Sequence, residues 1–262
     1  MVKFARFEYN KKIYEGLVDA EEIHIIKGSF WNHYEVSDKK HSISEVSFLP
    51  PVIPTKIVCV GQNYLGHIEE LGVPVPKEPI IFLKPPSCLI GHEHPIIYAR
   101  NAERIDYEGE LAIVIKHRMK SVNETDTLNY VLGYSCFNDV TERNMVAKDR
   151  FLLTLSKGFD SFGPFGPYIV TDLDPDHLML KTYLNGELKQ QDNTENCVFS
   201  IQHVLSFISK YMTLFPGDIV ITGTPRGIAP MKPGDTVEVE IESIGTLRNI
   251  VQLEGLSSQP NL

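Results

Sequence analysis

The sequence predicts a mainly β protein with a few helices, and three observations carry that expectation. Short apolar runs rich in Ile and Val recur along the chain, at Ile57-Val58-Cys59-Val60, at PIIFLKPP (79–86) and at Leu111 to Ile115. Each is of strand length and strand composition. The last third then alternates strand-like segments with turn chemistry. Asn185-Gly186 follows Leu180 to Leu184 as a hairpin signal, and PGDIVITGTPRG from 216 and PGDTVEVEI from 233 each feed a turn into a strand. Within that third, helical periodicity is confined to one segment. Ser200 reads as the N-cap of a stripe made by Ile201, Val204, Leu205, Ile208 and Met212, a core-facing pattern.

With 262 residues the chain is long enough for one large domain, or for a core domain with a small one attached. Apolar residues at 42% and charged residues at 23% are those of an ordinary globular protein. A formal charge of −9, with no block of Lys and Arg, argues against nucleic-acid binding. Cys59, Cys88, Cys136 and Cys197 lie far apart, without a C-x-x-C pair, as reduced thiols do. The first residues lack the apolar core of a signal peptide, and no apolar stretch approaches the ~20 residues of a membrane span. A cytoplasmic protein is expected.

Residues 1–54 read as a small β-rich unit, with strands around Phe4 to Phe7, Ile13 to Val18 and Ile23 to Ile26, closed by Pro50, Pro51 and Pro54. Residues 55–256 form the main domain and 257–262 a tail. The first strand of the main domain breaks at Gly61 into GQNYLGHIEELG. There His67 and Glu70 stand at i, i+3, so one helical turn pairs them. A carboxylate that fixes an imidazole tautomer is the usual partner of a general base. An amphipathic surface helix with an incidental pair explains the same spacing. His92-Glu93-His94, between Gly91 and Pro95, reads as a turn between strands more than as a metal site.

Glu108 and Glu110 precede the apolar run within a strand expected over 105–115. Alternation puts both on one face, where two anions repel unless a cation joins them. Mg²⁺, Mn²⁺ or Ca²⁺ would satisfy them, and so would solvent. Next comes a short helix over 122–131 with Ser121 as its N-cap. Asp139 follows the strand Tyr134 to Phe137; it either completes a three-anion face or caps the helix that VTERNMVAKDR would form. Residues 152–167 read as a Gly- and Pro-broken loop carrying Lys157, a charge for an anionic substrate or a solvated lysine. At Thr222-Gly223-Thr224-Pro225, backbone N–H groups and a hydroxyl can hold a carboxylate.

The ordered segments GQNYLGHIEE, PIIFLKPP, DYEGELAIVI, FNDVTERN, LSKGFDSFGPFGP, NGELKQ with Thr194, and VITGTPRGIAP closing on KPGDTVEVEI resemble the fumarylacetoacetate hydrolase family. The likeness is to its small acylpyruvase, oxaloacetate decarboxylase and 2-hydroxyhepta-2,4-diene-1,7-dioate isomerase members, over about residues 56–255. It implies a mixed β-roll core, usually dimeric. It also implies Mg²⁺, Mn²⁺ or Ca²⁺ on Glu108, Glu110 and Asp139, and catalysis by His67, Glu70 and Lys157. Gln62, Arg143, Gly223 and Thr224 would meet a small 2-oxo acid substrate. The implied reaction is hydrolysis of an acylpyruvate C–C bond through a metal-held enolate and a dyad-activated water. Decarboxylation and isomerisation are the alternatives, and loss of the chemistry in a binding protein is a remoter one. Gln62 stands after the glycine where many members carry Arg or another residue that touches substrate, and Gly158 stands where Ser is common.

Overall fold

A computed structural model of the chain describes residues 1–149 and 152–255, so the tail at 257–262 lies outside the described residues. Its backbone is one large sheet with a smaller five-stranded sheet against it. The large sheet runs, in spatial order, Tyr34–Ser42, Glu22–Gly28, Lys12–Asp19, Lys3–Tyr9, Gly163–Val170, Val131–Asn138, Gly109–Ile115, Ile219–Ile221, Ile57–Gly61 and Ile80–Lys84. The first four strands come from the N-terminal segment. They join the rest where Lys3 pairs with Val170 and Phe4 with Ile169. The second sheet orders Glu187–Asn193, Met179–Leu184, Thr236–Ile241, Gly245–Leu253 and Ile96–Tyr98.

The strand Gly109–Ile115 is buried along its whole length because both its faces are covered. Leu111, Ile113 and Ile115 pack with Leu180, Val239, Ile241 and the helix side chains Val204, Leu205 and Ile208. Ala112 and Val114, on the opposite face, pack with Ile57, Cys59, Ile219 and Phe137. An unbroken apolar run is what such a position needs. Alternation carries the second face back to Glu110, so the carboxylate emerges where that apolar layer ends.

The mainly β expectation is met, and several local elements differ from it. The strand expected over 105–115 is two pieces. Ile105–Asp106 pairs instead with Thr141–Glu142 and Pro230–Met231, leaving Tyr107 and Glu108 between the pieces. Residues 152–167 are not an irregular loop, because Leu153–Lys157 is a short helix and Gly163–Val170 a central strand. Its Gly163 is a packing requirement: a Cβ there would sit 2.6 Å from Cys88 Sγ. The helix expected over 122–131 is a 3₁₀ segment, Glu124–Tyr130, preceded by Asn123; Ser121 has φ 53°, outside the extended backbone of an N-cap. The hairpin at Asn185-Gly186 forms with φ 54° and 79°, and Ser200 Oγ accepts the His203 N–H at 3.2 Å.

The His92–His94 turn ties the N-terminal segment to the core. His92 Nδ1 accepts the Arg248 N–H at 3.1 Å, and His94 Nε2 meets Ser47 Oγ at 3.1 Å. Burial pushes both imidazoles below their usual value of 6.5, outweighing Glu93 at His92 and Glu8 at His94; Arg248 and the neighbouring His94 lower His92 further. A depressed folded value means that the unfolded chain takes up protons first, so stability is lost as pH falls below about 6.5. Melting curves across pH 5 to 8 should therefore show a loss on the acid side. A His92→Gln, His94→Gln double variant should flatten it; an unchanged profile would contradict this role.

Candidate active site

The ends of two neighbouring strands converge on one cavity of about 260 Å³. Glu108 and Glu110 enter from the start of the central strand, and Asp139 from just past the end of its neighbour Val131–Asn138. The Asp139 N–H donates to the Glu108 carbonyl at 2.8 Å, which locks the two strand ends together. All three carboxylates are buried, with ligand oxygens within 4.8 Å of one another. The capping reading of Asp139 is excluded, because the following helix Arg143–Lys148 is capped by Glu142, whose carboxylate accepts the Met145 N–H at 2.6 Å.

Two buried lysines and two partly exposed arginines surround this floor. Lys157 Nζ donates to Glu108 Oε2 at 2.7 Å, to Thr141 Oγ1 at 2.8 Å and to Asp139 Oδ2. Its position in the short helix replaces the solvated lysine of an open loop. Arg143 joins Glu108 through Nη2 and Asp106 through Nε at 3.0 Å, and Arg104 closes a bidentate pair on Asp106 at 2.8 and 3.0 Å. Lys84, absent from the sequence-based set, donates to Asp139 Oδ1 at 2.7 Å and to the Val140 carbonyl at 3.2 Å. The signal for it was a lone lysine at the end of an apolar strand. Asp106, also buried, lay in the same motif as Glu108.

These contacts divide the carboxylates electrostatically. Burial pushes Glu108 up, but Lys157 and Arg143 outweigh it and bring the carboxyl down to about 2. Burial also pushes Glu110 up; the charges of Asp139 and Glu108 add to this, and Lys157 and the Gly223 N–H do not offset it. Among the described residues Glu110 has no ion pair; its one hydrogen bond is from the Gly223 N–H to Oε2, at 2.7 Å. A buried carboxylate short of a cation, beside two others in an all-oxygen donor set, fits a hard divalent ion. The donor set therefore fits the Mg²⁺, Mn²⁺ or Ca²⁺ that the resemblance implied.

The His67–Glu70 pair stands over this floor. His67 and Glu70 lie on the helix Leu65–Leu71, with Nδ1 2.9 Å from Glu70 Oε2, while Glu70 Oε1 accepts the Gly227 N–H at 2.9 Å. His67 is buried and lines the cavity; Nε2 has no protein partner among the described residues. Gln62, in the left-handed region at φ 55°, lines the same cavity. The turn expected to hold a substrate carboxylate is engaged by the protein itself: Gly223 N–H takes Glu110, and the Thr224 hydroxyl donates to the Gly109 carbonyl at 2.9 Å. Gly158 suits its place, since a Cβ would lie 2.5 Å from the Thr154 carbonyl oxygen.

A β core that presents three buried carboxylates, flanking cations and a His–Glu pair in one cavity defines a class of enzymes with an acidic metal-type site. The family model described as fumarylacetoacetate (FAA) hydrolase C-terminal matches residues 56–252, and one described as Rv2993c-like, N-terminal, matches residues 2–51. The chain belongs to the fumarylacetoacetate hydrolase family. It is 42% identical to the oxaloacetate tautomerase FAHD2B, mitochondrial, of Bos taurus, over 79% of this chain and 70% of that protein. The 2-hydroxyhepta-2,4-diene-1,7-dioate isomerase of Mycobacterium marinum superposes with a TM-score of 0.90 at 35% identity, covering 97% of this chain and 100% of that one. The maleylpyruvate hydrolase of Sphingobium sp. SYK-6, in complex with manganese(II) and pyruvate, gives 0.81 at 27% identity, covering 96% and 99%. Among the described residues no helix is long and apolar enough to cross a membrane.

Proposed function

We propose that the chain catalyses keto–enol tautomerisation of a small 2-oxo acid, oxaloacetate, with Mg²⁺ or Mn²⁺ held by Glu108, Glu110 and Asp139. The observation that carries this reading is the buried His67, paired with Glu70, beside the carboxylate floor in a cavity of about 260 Å³. That volume lies below the ~300–1,000 Å³ of sites for drug-sized ligands and suits a four-carbon acid. The 42% identity to a tautomerase named for oxaloacetate points the same way.

A bound cation would supply Lewis acidity toward the 2-oxo group. Glu70, itself held by the Gly227 N–H, keeps the proton of His67 on Nδ1 and leaves the Nε2 lone pair toward the cavity. Nε2 removes a proton from C3, and the imidazolium returns it to the oxygen on C2; the product is the enol and nothing else is consumed. Lys157 has its three N–H donors on Glu108, Asp139 and Thr141, so it acts on developing negative charge as a fixed cation. Arg143 keeps Nη1 without a protein partner among the described residues and, with Gln62, orients the substrate carboxylates. Gly223 and Thr224 shape the floor beneath them.

One observation favours a second reading. Leu71, Ile80, Phe82, Val146, Ala147 and Leu153 give the cavity an apolar wall, which suits the acyl group of an acylpyruvate. In that case Nε2 would deprotonate a water and the C–C bond would be hydrolysed. Two assays separate the readings. Tautomerisation predicts accelerated loss of the oxaloacetate enol absorbance with no pyruvate formed; hydrolysis predicts pyruvate release from acetylpyruvate. Pyruvate formed from oxaloacetate would point to decarboxylation instead, and inactivity toward oxaloacetate, acetylpyruvate and a hydroxy-dienoate would favour a binding protein on the same fold. We also take the chain to be a cytoplasmic homodimer, divided between residues 54 and 55. Exposed Ile80 and Leu83 on the edge strand Ile80–Lys84 support the pairing. A monomer mass by light scattering would contradict it.

A further inference from the structure

Gly109 separates Glu108 from Glu110, and the two peptide groups around it determine where both carboxylates point. On one side Gly109 lies opposite Asn138. On the other side the neighbouring strand Ile219–Ile221 pairs only with Ala112 to Val114, so at Gly109 the sheet has lost its partner. The vacant edge is filled by side chains. The Gly109 N–H donates to Gln190 Oε1 at 3.0 Å, and the Gly109 carbonyl accepts the Thr224 hydroxyl at 2.9 Å. Gln190 Nε2 closes the ring, donating to Thr224 Oγ1 at 2.9 Å and to the Pro225 carbonyl at 2.8 Å.

Chemistry leaves this ring one arrangement. Rotating the amide of Gln190 by half a turn would set its NH₂ against the Gly109 N–H and its oxygen against the Pro225 carbonyl. Since Thr224 Oγ1 accepts from Gln190, its own proton goes to the Gly109 carbonyl. Gln190 is buried, and it comes from the strand Glu187–Asn193 of the second sheet, so it also fixes the distance between the two sheets at the site. No side chain fits at residue 109, where a Cβ would lie 2.2 Å from Thr182 Oγ1.

We propose that Gln190 is the positioning residue of the carboxylate floor. Its amide replaces the missing strand, holds the peptide between Glu108 and Glu110, and thereby sets the affinity for the divalent cation. This rests on the reading of Glu108, Glu110 and Asp139 as a cation site. Outer partners of metal ligands are worth about 10–100-fold in affinity, and that range is expected here.

The test titrates Mn²⁺ into the full chain, reading free Mn²⁺ by electron paramagnetic resonance, with circular dichroism to show that each variant is folded. Gln190→Met keeps the length of the side chain and removes every hydrogen bond. It should weaken Mn²⁺ binding by about 10–100-fold. Thr224→Val breaks the same ring at one hydroxyl and carries the test if Gln190→Met does not fold. The double variant should lose less than the product of the two single losses, because both act on one ring. A folded Gln190→Met, or in its place Thr224→Val, with wild-type Mn²⁺ affinity would show that the ring only joins the sheets and would overturn the proposal. A wild-type chain that binds no Mn²⁺ would overturn the cation site itself, and this proposal with it.

Discussion

His67→Ala should lower turnover of the 2-oxo acid by about 10²–10⁴-fold, the contribution of a positioned general base, and leave Mn²⁺ affinity close to wild type. The expectation follows from placement. The imidazole lies on the helix Leu65–Leu71, above the floor, and its one protein bond among the described residues is to Glu70. Removing it takes no ligand from Glu108, Glu110 or Asp139. A defect confined to kcat supports proton transfer by His67; equal turnover of variant and wild type would rule it out. Glu70→Gln should fall between the two, because an amide can still contact the ring but no longer stabilises its cationic form. Measuring kcat and KM alongside Mn²⁺ titration for each variant separates the roles.

Glu110→Gln should have the opposite signature, abolishing cation binding while leaving the metal-free fold as stable or more so. In the metal-free protein Glu110 is a buried carboxylate without an ion pair among the described residues. Burial and the charges of Asp139 and Glu108 push its carboxyl up, so ionising it works against the fold. An amide keeps the size, can still accept the Gly223 N–H, and relieves a penalty on the order of 1–3 kcal/mol. For wild type, Mn²⁺ at about 100 times its Kd adds about 2.7 kcal/mol of stability. For a chain of this length each kcal/mol corresponds to a rise in Tm of about 2–4 °C. Thermal melts with Mn²⁺ and with chelator read both effects. The wild type should gain and the variant should not. A Glu110→Gln protein that gains as much from Mn²⁺ as wild type would remove Glu110 from the ligand set.

What the sequence made legible follows from the kind of physics each residue obeys. The hairpin at Asn185-Gly186 and the helix capped by Ser200 are written in local pattern and formed as expected, as did the apolar part, Gly109–Ile115, of the strand expected over 105–115. So did the His67–Glu70 contact, because helical spacing alone brings residues three apart together. The cluster of Glu108, Glu110 and Asp139 was legible through the ordered family segments; spacing alone favoured two solvated glutamates. Lys84 and Gln190 were missed because long-range pairing creates their partners, and Asp106 because only the fold buries it and brings Arg143 to it. Lys84 meets Asp139 across 55 positions and Gln190 meets Gly109 across 81. Residues 152–167 misled for a related reason. Glycines and prolines that mark turns locally are here used for close packing in a central strand.

The central claim is that a cation on the three carboxylates and a base at His67 together enolise a 2-oxo acid. The most direct measurement is the rate at which the C3 protons of oxaloacetate exchange with D₂O, followed by NMR with the Mg²⁺-loaded chain and again with chelator. The account predicts enzyme-dependent exchange that is lost on chelation and lost in His67→Ala, without breakdown of the acid. Exchange at the uncatalysed rate with the Mg²⁺-loaded wild type, or exchange unaffected by chelation, would contradict it.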